Sequence, residues 1–154
     1  MKKNSERSIA LVREIKPSEL YSLLDLYTHL HEHGIPENSK HLTQTWNTIC
    51  TDPNHHIIVY ESDGRIVASC VCVIIPNLTR NIRPYALIEN VVTHADYRRK
   101  GYAAACLNYA KEIAKQADCY KMMLLTGSKN NGTLRFYEAT GYNQYDKTAF
   151  IQWL

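Results

Sequence analysis

ENVVTHADYRRKGYAA, residues 89–104, changes character three times: β-branched at first, then basic around a single glycine, then alanine-rich. A strand that runs through a glycine turn into a helix leaves the first helical N–H groups without partners. The helix dipole adds partial positive charge to the same spot. Arg98, Arg99 and Lys100 supply full charges there, while Gly101, Ala103 and Ala104 let a bulky anion approach the backbone. The stretch predicts a seat for a phosphate or pyrophosphate. The same residues also fit a solvated basic turn that caps a helix. A Rossmann-type dinucleotide site fits less well, since the first glycine pair is missing. GxxxxGK[ST] is absent, which excludes a Walker loop.

Working outward, residues 84–94 read as a strand interrupted by Glu89 and Asn90. Ala103, Leu107, Ala110, Ala114 and Ala117, flanked by Cys106 and Ile113, form a helical stripe over residues 101–117. Residues 120–126 (YKMMLLT) follow as a short buried strand, so the three elements form a strand-helix-strand unit with a crossover. Upstream, residues 55–61 and 65–75 are β-rich runs joined across Ser62, Asp63 and Gly64, a strong hairpin signal. Residues 8–15 predict a first strand, and Pro17 and Ser18 open a helix carrying Leu20, Leu23, Leu24, Tyr27 and Leu30 that stops at Gly34 and Pro36. A second helix is expected over residues 41–50, another over 131–140 before Gly141, and a last strand over 149–154. Together these predict a mixed α/β sheet.

Composition narrows the class. With 154 residues, 45% hydrophobic and 21% charged, the chain is expected to form one domain, residues 1–154, around one core. The net charge of +3 is too small for a nucleic-acid stripe. The longest apolar stretch, residues 66–75, is about half of what a membrane span needs, so no membrane partner is expected. The basic, polar residues 1–7 lack an apolar region behind them, which predicts a cytoplasmic location. Five cysteines, an odd number without a CxxC, argue for reduced thiols in apolar patterns.

Two motifs carry a family resemblance. Arg98-Arg99-Lys100-Gly101-Tyr102-Ala103 resembles the [Q/R]xxGx[G/A] signature of the GCN5-related N-acetyltransferase superfamily. The segment from Asn130 to Tyr142, NNGTLRFYEATGY, is similar to its NxxAxxFYExxGF pattern. Ala103 stands for the commoner Gly, Thr133 for Ala and Ala95 for Pro. The resemblance implies a mixed, mostly antiparallel twisted sheet with a V-shaped splay between the fourth and fifth strands, flanked by about four helices. It implies acetyl-CoA as co-substrate without a metal, the main chain of Val91, Val92 and Thr93 pairing with the pantetheine arm. The loop of Arg98, Arg99, Lys100, Gly101, Tyr102, Ala103 and Ala104 would then hold the pyrophosphate, its amides from Arg99 onward bonding the anion. The activity implied is direct acetyl transfer to a primary amine of a small molecule or protein in a ternary complex. A non-catalytic acyl-CoA-binding module is the alternative, a nucleic-acid binder a third. The family resemblance also allows a homodimer through the sheet edge or the C-terminal strand.

Such a transfer sets two chemical demands. An amine with a pKa of about 10.4 is protonated at neutral pH and must lose a proton before it attacks. Glu89, beside the splay, is the candidate base, tuned by burial; a strand carboxylate that faces solvent or serves an ion pair is the plain alternative. The departing thiolate needs a proton, and Tyr137, at the family's tyrosine position, is the candidate donor; a core aromatic is its alternative. Asn130 is expected to contact the cofactor arm, to cap the helix, or both. A backbone N–H near Val92 would meet the oxyanion. His29, His31 and His33 lie about 200° apart in steps of two on a helix, so they do not converge on a metal, and an exposed helix end accounts for them. Glu32, Glu37, Tyr142 and Tyr145 are expected to line the acceptor site.

Overall fold

The computed structural model describes residues 11–30 and 33–154. Its sheet has five strands in the order β1 (Leu11–Glu14), β2 (His55–Ser62), β3 (Arg65–Ile75), β4 (Tyr85–Thr93) and β5 (Met122–Leu124). The first four are antiparallel neighbours, and β5 runs parallel to β4. Helices α1 (Leu20–Tyr27) and α2 (Lys40–Thr51) precede β2, a short α3 (Thr79–Ile82) lies between β3 and β4, and α4 (Tyr102–Gln116) and α5 (Asn131–Ala139) flank β5. The expected mixed, mostly antiparallel sheet is therefore present, flanked by five α-helices among the described residues where about four were expected.

Local chemistry explains the boundaries. The β2–β3 turn places Asp63 at φ 53° and Gly64 at φ 73°, the two left-handed residues that a tight hairpin with matching twist demands. Ser39 caps α2 by accepting from the Leu42 amide at 3.1 Å. A 3-10 turn, Pro17–Glu19, precedes α1, and Glu19 Oε2 accepts from the Lys16 amide at 2.8 Å. Arg13 donates to Glu19 at 2.7 Å and to Glu61 at 2.6 Å, tying that turn to β1 and β2. The Arg13 hydrogen bond keeps the Glu19 carboxyl below its ordinary range, and burial only partly opposes it.

Alternation along the strands builds two cores. On one face Leu23 and Leu26 of α1 and Trp46 of α2 cover Ile57, Val59, Val71 and Val92. On the other, Cys106, Leu107, Ala110 and Ala114 of α4 pack on Ile58, Ala68, Cys70, Cys72 and Ile88. All five cysteines are free thiols. No helix among the described residues is long and apolar enough to cross a membrane.

Three expectations need correction. The strand over residues 120–126 shrinks to Met122–Leu124, because β4 pairs with β5 only across Ala86–Ile88 before it turns away. Residues 149–154 form no strand; Phe150 and Trp153 are more than nine-tenths exposed. A strand needs an edge to pair with, and a three-residue β5 offers few main-chain bonds. Of residues 8–15, only Leu11–Glu14 are seen as strand, residues 8–10 lying outside the described residues.

Candidate functional site

β4 is where the sheet opens. Val71 pairs with Glu89 and Ser69 with Val92, so Cys70 alone opposes both Asn90 and Val91. That is a β-bulge, and Asn90 sits in it at φ 50°. The bulge adds local twist and bends β4 away from β5, so from Glu89 onward the outer edge of β4 has no strand partner among the described residues. The interruption that the sequence showed at Glu89 and Asn90 is the origin of the expected splay. Val92 is buried on the α1/α2 face, Val91 is half-buried on the α4 face, and Thr93 is half-buried.

Past Thr93 the chain forms a 3-10 turn, Ala95–Tyr97, and then enters α4. Arg99 at φ 61° and Gly101 at φ 80° are both left-handed and shape the turn into α4. Gly101 is the N-cap and brings no side chain to the free amides. From Arg98 through Ala104 no backbone N–H donates to an acceptor among the described residues; the first bond is Ala105 N to Gly101 O at 3.0 Å. Arg98, Arg99 and Lys100 are exposed and have no carboxylate partner among the described residues, although Arg98 Nε donates to Thr93 O at 3.4 Å and Lys100 Nζ lies 4.8 Å above the Tyr97 ring. A Cβ built on Gly101 would meet nothing within 4 Å, so the space above this turn is open. Tyr102 stacks on Tyr60 at 4.1 Å and fixes the helix start against β2. Free amides, three cations and an uncovered cradle fit a diphosphate.

Two histidines brace the turn from behind. His94 is 7% exposed, and its Nδ1 accepts from the Asp96 amide at 3.2 Å. Its ring packs on His29 at 4.0 Å, and His29 Nδ1 accepts from the Ala95 amide at 3.4 Å. Burial lowers the His94 pKa, His29 and Arg65 push the same way, and Asp96 and Asp25 oppose them. The neutral ring suits its role as an acceptor. His29 is thus half-buried against β4's exit, not part of an exposed helix end; His33 is exposed, and His31 lies outside the described residues.

On the far side of the splay, Asn130 Oδ1 caps α5 by accepting from Gly132 N at 2.7 Å and Thr133 N at 3.4 Å. Tyr137 is half-buried against the α4-side core, 5.0 Å from the Phe136 ring and 6.1 Å from Tyr142. Burial raises its pKa, so the phenol keeps its proton, and its hydroxyl bonds to no described group. Tyr142 does not line an acceptor site: it packs in the core with its hydroxyl buried and unpartnered. Tyr145 and Glu37 are exposed, and Glu32 lies outside the described residues.

A substrate wall from the first two helices was expected, and a 380 Å³ cleft lies on the α1/α2 face; what sequence reasoning missed is that β4, through Glu89 and Asn90, closes it instead of the last strands. Leu20, Leu23 and Leu24 of α1 form one side, Trp46 and Ile49 of α2 another, and Ile57, Val71 and Val73 the floor. The Trp46 indole donates to Pro17 O at 2.9 Å, so its polar atom is satisfied and its ring serves as wall. The Tyr27 hydroxyl lies beside Asn90; burial pushes its pKa up to about 12, and Asn90 partly opposes the rise. Glu89 is exposed, not buried as expected, and bonds to no described group. The leucine spacing of α1 was readable as a packed face; that part of it borders a cleft required the sheet beneath it.

The comparisons agree with this geometry. The model of the Acetyltransferase (GNAT) family matches residues 20–142. A glucosamine 6-phosphate N-acetyltransferase of Trypanosoma brucei brucei is 30% identical over 141 residues, 88% of this chain and 90% of that protein. An aminoglycoside N(6')-acetyltransferase type 1 of Serratia marcescens is 26% identical over 132 residues, 84% and 88% of the two chains. A solved protein of Agrobacterium tumefaciens str. C58, assigned as an acetyltransferase, is 36% identical with a TM-score of 0.85, covering 93% of this chain and 99% of its own. The chain belongs to the acetyltransferase (GNAT) family.

Proposed function

We propose that this acetyltransferase passes the acetyl group of acetyl-CoA directly to a primary amine in one ternary complex, as residues 1–154 of a single cytoplasmic domain with no nucleic-acid partner. The observation that carries the reading is the run of free amides from Arg98 to Ala104 beside three unpaired cations, immediately after the open edge of β4. The diphosphate docks on that turn. The pantetheine arm pairs with the outer main chain of Val91, Val92 and Thr93 as an added strand, with the Asn130 amide beside it. Acetyl-CoA, when bound, supplies the activated acyl group; the rest is done by the chain.

Glu89 takes the proton of the incoming ammonium, directly or through water, at the bulge where the cleft meets the open edge. A backbone N–H near Val92, on the open edge of β4, donates to the developing oxyanion. Tyr137, held in its phenol form by burial, donates its proton to the departing sulfur. Two copies are proposed to pair through the C-terminal segment, whose Phe150, Ile151 and Trp153 are exposed apolar side chains.

Thiol release measured with acetyl-CoA and an amine panel tests the reading. Glu89→Gln is expected to lower kcat/KM by roughly 100-fold. Tyr137→Phe is expected to lower kcat by about 10-fold while acetyl-CoA affinity changes less than about two-fold. Equal losses in turnover and affinity at Tyr137 would assign it to packing, and wild-type protein that binds acetyl-CoA without releasing thiol to any amine would favour the acyl-CoA-binding module.

A further inference from the structure

The cleft beside Glu89 has walls that say what it accepts. Among the described residues that line it, Glu89 is the one charged side chain, and none is a lysine or arginine. His55, at the β2 end of the floor, is held neutral near pH 7 because burial lowers its pKa, with Asp52 opposing and His56 adding to the shift. Everything else around the space is aliphatic or aromatic apart from Thr45, the Tyr27 hydroxyl and Asn90, all of them neutral. Leu24, Leu42, Ile49 and Val73 are only half-buried, so apolar surface here waits for cover.

Resting on the acetyl-transfer reading, we infer that the acceptor is a monoamine on an aromatic or branched aliphatic body, its ammonium on Glu89 and its body between α1 and α2. A sugar phosphate would bring a dianion to a space without a cation, and a polyamino sugar would bring several ammonium groups to a single carboxylate. Either would set charge against an apolar wall that offers it no partner among the described residues. The substrate class therefore departs from those named for the Trypanosoma and Serratia relatives. At 380 Å³ the cleft is at the small end of ligand pockets, a size that suits an arylalkylamine better than a polyamino sugar.

Phenethylamine, glucosamine 6-phosphate and kanamycin are compared for acetyl transfer and, in the presence of CoA, for binding by calorimetry. Phenethylamine is expected to give a kcat/KM at least 10-fold above the other two. Thr45→Lys places a cation at an exposed position of the wall, where folding is insensitive to it. The variant is expected to weaken phenethylamine binding at least 5-fold with acetyl-CoA affinity unchanged; Leu24→Lys repeats the test from α1. Preference for glucosamine 6-phosphate or kanamycin overturns the inference and leaves acetyl transfer standing. Phenethylamine binding that both lysine variants weaken, without thiol release, upholds the cleft and sinks the transfer reading. Absence of phenethylamine binding to protein that binds acetyl-CoA overturns the inference alone.

Discussion

The two halves of β4 lead to surfaces of opposite chemistry. Its C-terminal end runs into seven consecutive residues, Arg98 to Ala104, whose amides donate to no acceptor and whose three cations have no carboxylate partner among the described residues. Its middle opens onto a cleft assembled from α1, α2, β2, β3 and β4, apolar throughout except at Glu89 and a few neutral groups. One surface is made by local backbone conformation and survives in any fold that keeps the turn. The other exists only because distant helices lie over the sheet, so it shares its residues with the core. A single bulge at Asn90 serves both, turning β4 off β5 on one side and presenting Glu89 on the other.

If the two surfaces are independent, damage to one should leave the other intact. Gly101→Glu puts a side chain and a negative charge at φ 80° over the free amides. Acetyl-CoA affinity measured by calorimetry is expected to fall about 100-fold, ~2.8 kcal/mol, with phenethylamine binding unchanged; unaltered acetyl-CoA affinity would break the assignment of the turn. Leu23→Ala acts in reverse. Leu23 is 2% exposed and belongs at once to the core and the cleft, so urea denaturation is expected to show a loss of about 3 kcal/mol. Acetyl-CoA affinity of the folded variant should be retained.

Asn130→Ala separates capping from cofactor contact: about 1 kcal/mol of stability is expected to go with the two capped amides of α5. A parallel loss of acetyl-CoA affinity would add the cofactor contact. The smallest effect is a pH slope. His94 and His55 have folded pKa values below the reference 6.5, so the unfolded chain binds more protons and stability is lost as pH falls from 6.5 through the folded values. The thermal midpoint should decline over that window, and His94→Asn, which keeps an acceptor for the Asp96 amide, should flatten the decline.

Legibility followed the same division. The glycine turn, the hairpin at Asp63-Gly64 and the cap at Asn130 were readable because each is decided within four or five residues by φ, by missing donors or by a side-chain oxygen. Glu89 was readable as an anomaly in an apolar strand, but its exposure was not, since that depends on the bulge. The strand expected over residues 149–154 failed because alternation shows that a segment suits a sheet, not that an edge is free to receive it. His29 looked like part of an exposed helix end until β4's exit was seen against it.

By itself the sequence determined the order of the elements from β1 to α5 apart from the short α3, and the glycine turn with its three cations, since these depend on local dihedrals and on charges adjacent in the chain. Tertiary structure alone decided how far β5 pairs, where β4 bends, and that Leu24, Ile49 and Val73 border open space instead of filling it. The reason is that burial is a property of what lies opposite a side chain, and what lies opposite comes from residues dozens of positions away.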